Sequence, residues 1–214
     1  MTLSVDYFVS FRSPFSYLSA NRVVQLEEDW DLTVKFRPVF PAAVRNPGLF
    51  SNPLAGPYIF RDGLRTADYL GIPFSWPRPD PIVQDLATMK IADEQPYIAR
   101  LTYLGAEAER HGKGLAFYQQ VSRLIFGTGT ENWHEGEHLA NVAESVGLDL
   151  AAMDAAIAED NSENETFITA NEEALAATGH WGVPVLAFQK EPFFGQDRID
   201  MCVWRMKQHG LQAQ

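Results

Sequence analysis

The period at which hydrophobic residues recur changes along the chain, and each change marks an element. Leu3 to Val9 is an apolar alternating run that predicts a first strand. Leu18, Val23, Val24 and Leu26 recur at helical spacing, which predicts a helix from Pro14 to about Trp30 with those residues facing inward. Leu32-Thr33-Val34-Lys35-Phe36-Arg37-Pro38 alternates again, is β-branched and closes on proline, so it reads as a second strand. Strand, helix and strand joined by short connections predict a right-handed βαβ unit with parallel strands.

The middle of the chain reads differently. Val39 to Pro57 is rich in Pro, Gly, Asn and Ser and predicts a long structured loop. Tyr58 to Leu70 predicts a helix stopped by Gly71-Ile72-Pro73, and the prolines of Phe74 to Pro81 exclude a regular element. Further helices are expected over Asp85 to about Lys113, with a break near Gln95-Pro96, and over Leu115 to Phe126, Glu135 to Val146, Leu150 to Glu159 and Glu163 to Thr178. Val183 to Phe188 is then a short, fully apolar strand, Gln189 to Pro192 a turn, and Phe193-Phe194 the start of another strand. The chain closes on an amphipathic helix over Ile199 to Gln208. This β-α-β, all-helical, β-β-α outline predicts an α/β protein of thioredoxin type with an all-helical insertion between the second and third strands. The expected division is 1–57 and 179–214 for the thioredoxin-like part and 58–178 for the helices.

Composition narrows the function classes. A chain of 214 residues, 46% of them hydrophobic, is long enough to bury a core without metal or disulfide. The net charge of −11 argues against nucleic acid or an anionic membrane surface as partner. No apolar run approaches the ~20 residues of a membrane helix, and the first residues lack a basic region followed by an apolar one, so a cytoplasmic protein is expected. The single cysteine, Cys202, excludes an intramolecular disulfide and two-thiol redox cycling within one chain, and reads as a buried inert thiol.

The candidate chemistry begins at Ser13. Its side chain suits an N-cap, and Pro14 suits the first helical position. A hydroxyl at that place stands beside the free amides and positive end of a helix, where an anion such as a thiolate is stabilised. The plain alternative is a cap and nothing more. Asp197 likewise suits either a helix-dipole partner or a ligand contact. His134-Glu135-Gly136-Glu137-His138 matches the zinc-protease pattern H-E-x-x-H. In a helix it would place both imidazoles on one face, but Gly136 and the preceding Gly-Thr loop favour a solvated helix start without metal. Arg12, Arg37, His180 and Trp181 suit a site, the surface or packing equally.

Ser13-Pro14-Phe15-Ser16-Tyr17-Leu18, Trp181-Gly182-Val183-Pro184 and Phe194-Gly195-Gln196-Asp197-Arg198-Ile199 together resemble the signatures of 2-hydroxychromene-2-carboxylate isomerases, which group with kappa-class glutathione transferases and DsbA. The resemblance runs the length of the chain. It implies glutathione as cofactor, its sulfur held by Ser13, where DsbA-type oxidoreductases carry Cys-x-x-Cys. It implies a cis bond at Pro184, with the Val183 backbone pairing with the cysteinyl backbone of glutathione, and Gln196 and Asp197 holding the γ-glutamyl end. Asn52 would match an asparagine near the tripeptide. A lysine that kappa-class enzymes carry shortly before the tyrosine matching Tyr58 is missing from Asn52-Pro53-Leu54-Ala55-Gly56-Pro57-Tyr58, which leaves Arg61 or Arg45 to supply that cation. The implied activity is cis–trans isomerisation of a small aromatic or unsaturated substrate in a homodimer. A kappa-like glutathione transferase, a non-catalytic thioredoxin-fold binding protein and, weakly, a zinc hydrolase at His134 and His138 are the alternatives.

Overall fold

The computed structural model describes residues 2–46, 48, 52, 54–85 and 90–214. β1 (Leu3–Val9) and β2 (Leu32–Pro38) pair in parallel, Leu3 opposite Leu32 and Val9 opposite Pro38, with α1 (Pro14–Asp29) as the crossover. β3 (Val185–Phe188) runs antiparallel to β1 with Tyr7 opposite Leu186, and β4 (Glu191–Phe194) returns antiparallel to β3. The strand order is β2-β1-β3-β4. Gln189 and Lys190, at φ 52° and 70°, form the two-residue turn of that last hairpin, a left-handed pair whose twist matches the strands it joins.

Alternation along each strand sends its side chains to two layers. Val5, Tyr7 and Val9 of β1 and Leu186 and Phe188 of β3 join the large core with Leu18, Val23 and Leu26 of α1. Ile199, Cys202 and Met206 of α9 (Ile199–Gln208) complete that core. Phe8, Val185 and Ala187 point the other way and meet Val39 and Leu175. Leu175 belongs to α8 (Ser162–Ala177), so the second face is covered from the helical region. Burial holds the Cys202 thiol protonated, its pKa pushed up to about 12.

The helices between β2 and β3 are α2 (Ala42–Arg45), α3 (Ala55–Leu70), α4 (Pro96–Arg110), α5 (Gly114–Ser122), α6 (His138–Ser145), α7 (Leu150–Glu159) and α8. The structure corrects several expected boundaries. The loop expected over Val39 to Pro57 contains α2 and the first turn of α3, and part of it lies outside the described residues. α4 starts at Pro96 rather than Asp85. The residue before a proline is driven out of helical geometry, and Gln95, at φ −127°, instead uses its side-chain amide to bind both backbone groups of Val83. Residues 86–89 of the expected helix lie outside the described residues. α5 runs into a π-helical turn over Arg123–Gly127.

α6 starts at His138, not Glu135. Gly136 sits at φ 58° and Asn132 at 51°, so the H-E-x-x-H stretch is a series of turns and its two imidazoles do not share a helix face. His134 is packed rather than solvated, with ring centroids 4.6 Å from Tyr97 and 5.5 Å from Trp133. Among the described residues, no group of His, Cys, Asp and Glu side chains is placed to hold a metal ion. None of the described helices is long and apolar enough to cross a membrane.

Candidate functional site

The site is built where β1 hands over to α1. Phe11, fully buried and edge-on to Tyr118 at 5.1 Å, anchors the turn, and the Ser13 N–H donates to Ser10 O at 3.1 Å. Ser13 then caps α1. Its Oγ accepts the Ser16 N–H at 3.2 Å, with extended backbone at φ −82° and ψ 117°, and Pro14 occupies the first helical position. The hydroxyl also reaches across the fold. It donates to Val183 O at 3.5 Å, which joins positions 170 residues apart. That distance is the long limit of a hydrogen bond, so a better acceptor takes the proton at little cost.

Val183-Pro184 is a cis bond, and β3 starts at Val185 rather than Val183. Val183 lines the cavity, and its N–H has no hydrogen-bond partner among the described residues. The loop that presents it is fixed on every side. The Gly182 N–H donates to His180 Nδ1 at 3.0 Å, Arg45 donates to Trp181 O at 2.8 Å and to Phe40 O at 2.7 Å, and the Gly195 N–H donates to Pro184 O at 2.9 Å. His180 stacks on Phe194 at 4.2 Å and on Trp181 at 5.5 Å. Burial holds its pKa below the ordinary value, and its neutral form is the one whose Nδ1 can accept that N–H. At Gly182 a Cβ would lie 2.7 Å from Phe194 Cε2, so the close stacking requires glycine.

A cavity of about 640 Å³ opens between these elements. The structure brings Ser13, Val183, Pro184, Gln196 and Asp197 together on its wall. Gln196 and Asp197 lie in a 3-10 turn, Gln196–Arg198, that leads into α9, and Asp197 pairs with its neighbour Arg198 at 2.7 Å. Asn52 is exposed and is not on this wall. Its Oδ1 accepts the Leu54 N–H at 3.0 Å at the entry to α3. Arg61 is also exposed and off the wall, and Arg45 spends its guanidinium on loop carbonyls, so neither replaces the missing lysine at the cavity. Arg37 pairs with Asp6 at 2.8 Å, away from the site, whereas Arg12 and Trp181 line it.

Sequence reasoning missed the wall supplied by α3. Tyr58, Asp62 and Thr66 stand four residues apart and face the cavity from one side of that helix. The spacing is visible in the sequence, but the face it points to is not. Apolar surface there comes from Phe15, Ile59 and Ile82. The arrangement therefore combines a helix N-terminus, a weakly held hydroxyl proton, an open backbone N–H, and both polar and apolar side chains on one wall. It can hold a small peptide-like thiol in extended form and leave room for a flat apolar partner.

Known proteins resemble this chain in sequence and in fold. A 2-hydroxychromene-2-carboxylate isomerase of Pseudomonas putida is 28% identical over 205 residues, covering 92% of this chain and 91% of its own. Glutathione S-transferase kappa 2 of Caenorhabditis elegans is 24% identical over 208 residues, covering 91% and 88%. A solved structure of a 2-hydroxychromene-2-carboxylate isomerase superposes with a TM-score of 0.70 at 23% identity, over 96% of this chain and 95% of that one. The family model for the DSBA-like thioredoxin domain matches residues 4–207. With that match spanning nearly the whole chain and the cis-proline facing the start of α1, this protein belongs to the DSBA-like thioredoxin domain family.

Proposed function

We propose that this protein is a glutathione-dependent cis–trans isomerase of 2-hydroxychromene-2-carboxylate or a related aromatic or unsaturated small molecule. The observation that carries the reading is the meeting of Ser13 Oγ with Val183 O across the mouth of α1, beside an unpartnered Val183 N–H. Bound glutathione would supply the sulfur nucleophile that this chain lacks at the motif, for reversible addition to an activated double bond. Ser13 would turn its proton from Val183 O to that sulfur, and the end of α1 would stabilise the anion. The Val183 backbone pairs with the cysteinyl backbone, and Gln196 and Asp197 meet the γ-glutamyl end, with Asp197 toward the ammonium. Asn52, off the wall of the cavity, would meet the tripeptide only at its outer end. Phe15, Ile59 and Ile82 keep the flat substrate dry.

The relatives support the reading as enzymes named for isomerase and transferase activities. Calorimetry with glutathione and the absorbance of a hydroxychromene carboxylate test it together. Binding with conversion to the isomer is the expected result, and no binding at millimolar glutathione overturns it. The likeness to a kappa-class transferase favours a second reading in which the conjugate is released, and recovery of a stable glutathione adduct would select it. Ser13→Ala is expected to lose turnover in either case. The same reading takes 1–57 and 179–214 as the thioredoxin-like part, 58–178 as the helical part, and a cytoplasmic homodimer as the working form. Light scattering tests the last.

A further inference from the structure

Arg12 is the charged residue next to Ser13 on the cavity wall, and nothing in the proposed glutathione site uses it. Its side chain is only 28% exposed. Nε donates to Asp80 Oδ1 at 3.2 Å and Nη2 to Oδ2 at 3.0 Å, a two-pronged pair that sets the plane of the guanidinium. Asp80 is itself held, because its Oδ1 accepts the Ile82 N–H at 2.9 Å. The loop before it is pinned by buried Trp133, whose Nε1 donates to Pro79 O at 2.9 Å. Arg12 lines the cavity and Asp80 does not, so the carboxylate grips the guanidinium from outside the wall.

Arginine carries five N–H donors. Asp80 takes two of them, and Nη1 has no acceptor among the described residues. The other charged groups on the wall pair with neighbours, Asp62 with Arg65 and Asp197 with Arg198, the latter an exposed pair that the γ-glutamyl ammonium would join. What surrounds Arg12 is largely apolar, with Pro14, Phe15, Ile59 and Ile82 on the same wall. A fixed guanidinium edge among apolar side chains matches a flat apolar body that ends in a carboxylate.

We propose that Arg12 is a specificity-determining residue, positioned by Asp80, that receives the carboxylate of the second substrate beside Ser13. The proposal deepens the reading of this cavity as a glutathione-dependent active site and rests on it for what reacts there, though the anion contact can be measured without glutathione. The probes are 2-naphthoate and its uncharged isostere 2-naphthamide, titrated by calorimetry into the protein with and without saturating glutathione. The folded chain is expected to bind the naphthoate about tenfold or more tighter than the amide, the size of one charge-assisted contact. Arg12→Met should bring the two affinities together while leaving the amide within about twofold of its original value, and Arg12→Lys should keep part of the preference. An equal affinity for both probes in the unmodified protein overturns the proposal, as does a preference that survives Arg12→Met or binding of neither probe. If Arg12→Met fails to fold, Arg12→Lys decides, since an undiminished preference there excludes a role for the guanidinium fork. Absence of a glutathione signal with an Arg12-dependent naphthoate preference would instead overturn the proposed function and leave this assignment standing.

Discussion

Replacing Ser13 tests two roles of one oxygen, and the structure lets them be separated. As a cap, Oγ accepts the Ser16 N–H at 3.2 Å. Its loss in Ser13→Ala should cost about 1 kcal/mol, which for a chain of this size lowers the melting temperature by about 2–4 °C. As a donor, Oγ now has only a 3.5 Å contact to Val183 O, so its proton is available to a thiolate. A hydrogen bond to a charged acceptor is worth about 1.5–3 kcal/mol, and each pKa unit corresponds to about 1.4 kcal/mol. The thiol of bound glutathione should therefore titrate about 1–2 units higher in Ser13→Ala than in the unmodified protein. The ultraviolet absorbance of the thiolate, followed against pH with the protein saturated, measures this directly. Ser13→Asp separates the roles, because aspartate caps a helix as well as serine but its carboxylate has no proton to give and repels the thiolate. It should keep stability and lose thiol acidity. A thiol pKa unchanged in Ser13→Ala, or retained in Ser13→Asp, refutes the donor role and leaves Ser13 a cap.

Other perturbations have equally definite outcomes. The folded-state pKa of His180 is depressed by burial, so its contribution to stability is complete above the unfolded value near 6.5 and is lost as pH falls through the folded one. Urea titrations at about pH 7.5 and about pH 5 should show a larger acid loss in the unmodified protein than in His180→Asn. Arg45→Met removes two donors from the loop carbonyls of Phe40 and Trp181 and should cost about 1–3 kcal/mol of stability while weakening glutathione binding by calorimetry. His134→Ala should lower the melting temperature through lost packing on Tyr97 and leave turnover unchanged, and metal analysis should find no stoichiometric zinc. Tyr17→Phe removes the 2.6 Å bond from its hydroxyl to Pro73 O and should cost about 1 kcal/mol in denaturant unfolding, without altering the substrate preference.

Much of the architecture could be read from the chain alone, because the forces that set it are local. β1, β2, α7 and α9 begin and end where the hydrophobic period changes, and the cap geometry of α1 follows from Ser13 and Pro14 as neighbours. The single cysteine by itself excludes a redox pair within the chain. The three motifs carried the family resemblance for the same reason, each being a short run whose meaning lies in adjacent residues.

Beyond the parallel pairing of β1 and β2 and the site that the resemblance implied, contacts between distant residues lay outside what the sequence shows. The Ser13–Val183 contact spans 170 positions and the Arg12–Asp80 pair 68, and no period or composition encodes either. A repeating pattern reports which side of an element is buried, not which other element it faces, so the cavity wall on α3 emerged only from the packed chain. Backbone geometry also moved element boundaries away from where the hydrophobic pattern put them. Pro96 set the start of α4, and the left-handed Gly136 kept the expected helix start at Glu135 a turn, with α6 beginning at His138. Charge is the plainest case. Arg12 in the sequence suits a site, the surface or packing equally, and only tertiary contact shows it gripped by Asp80, partly desolvated and on the cavity wall with Ser13.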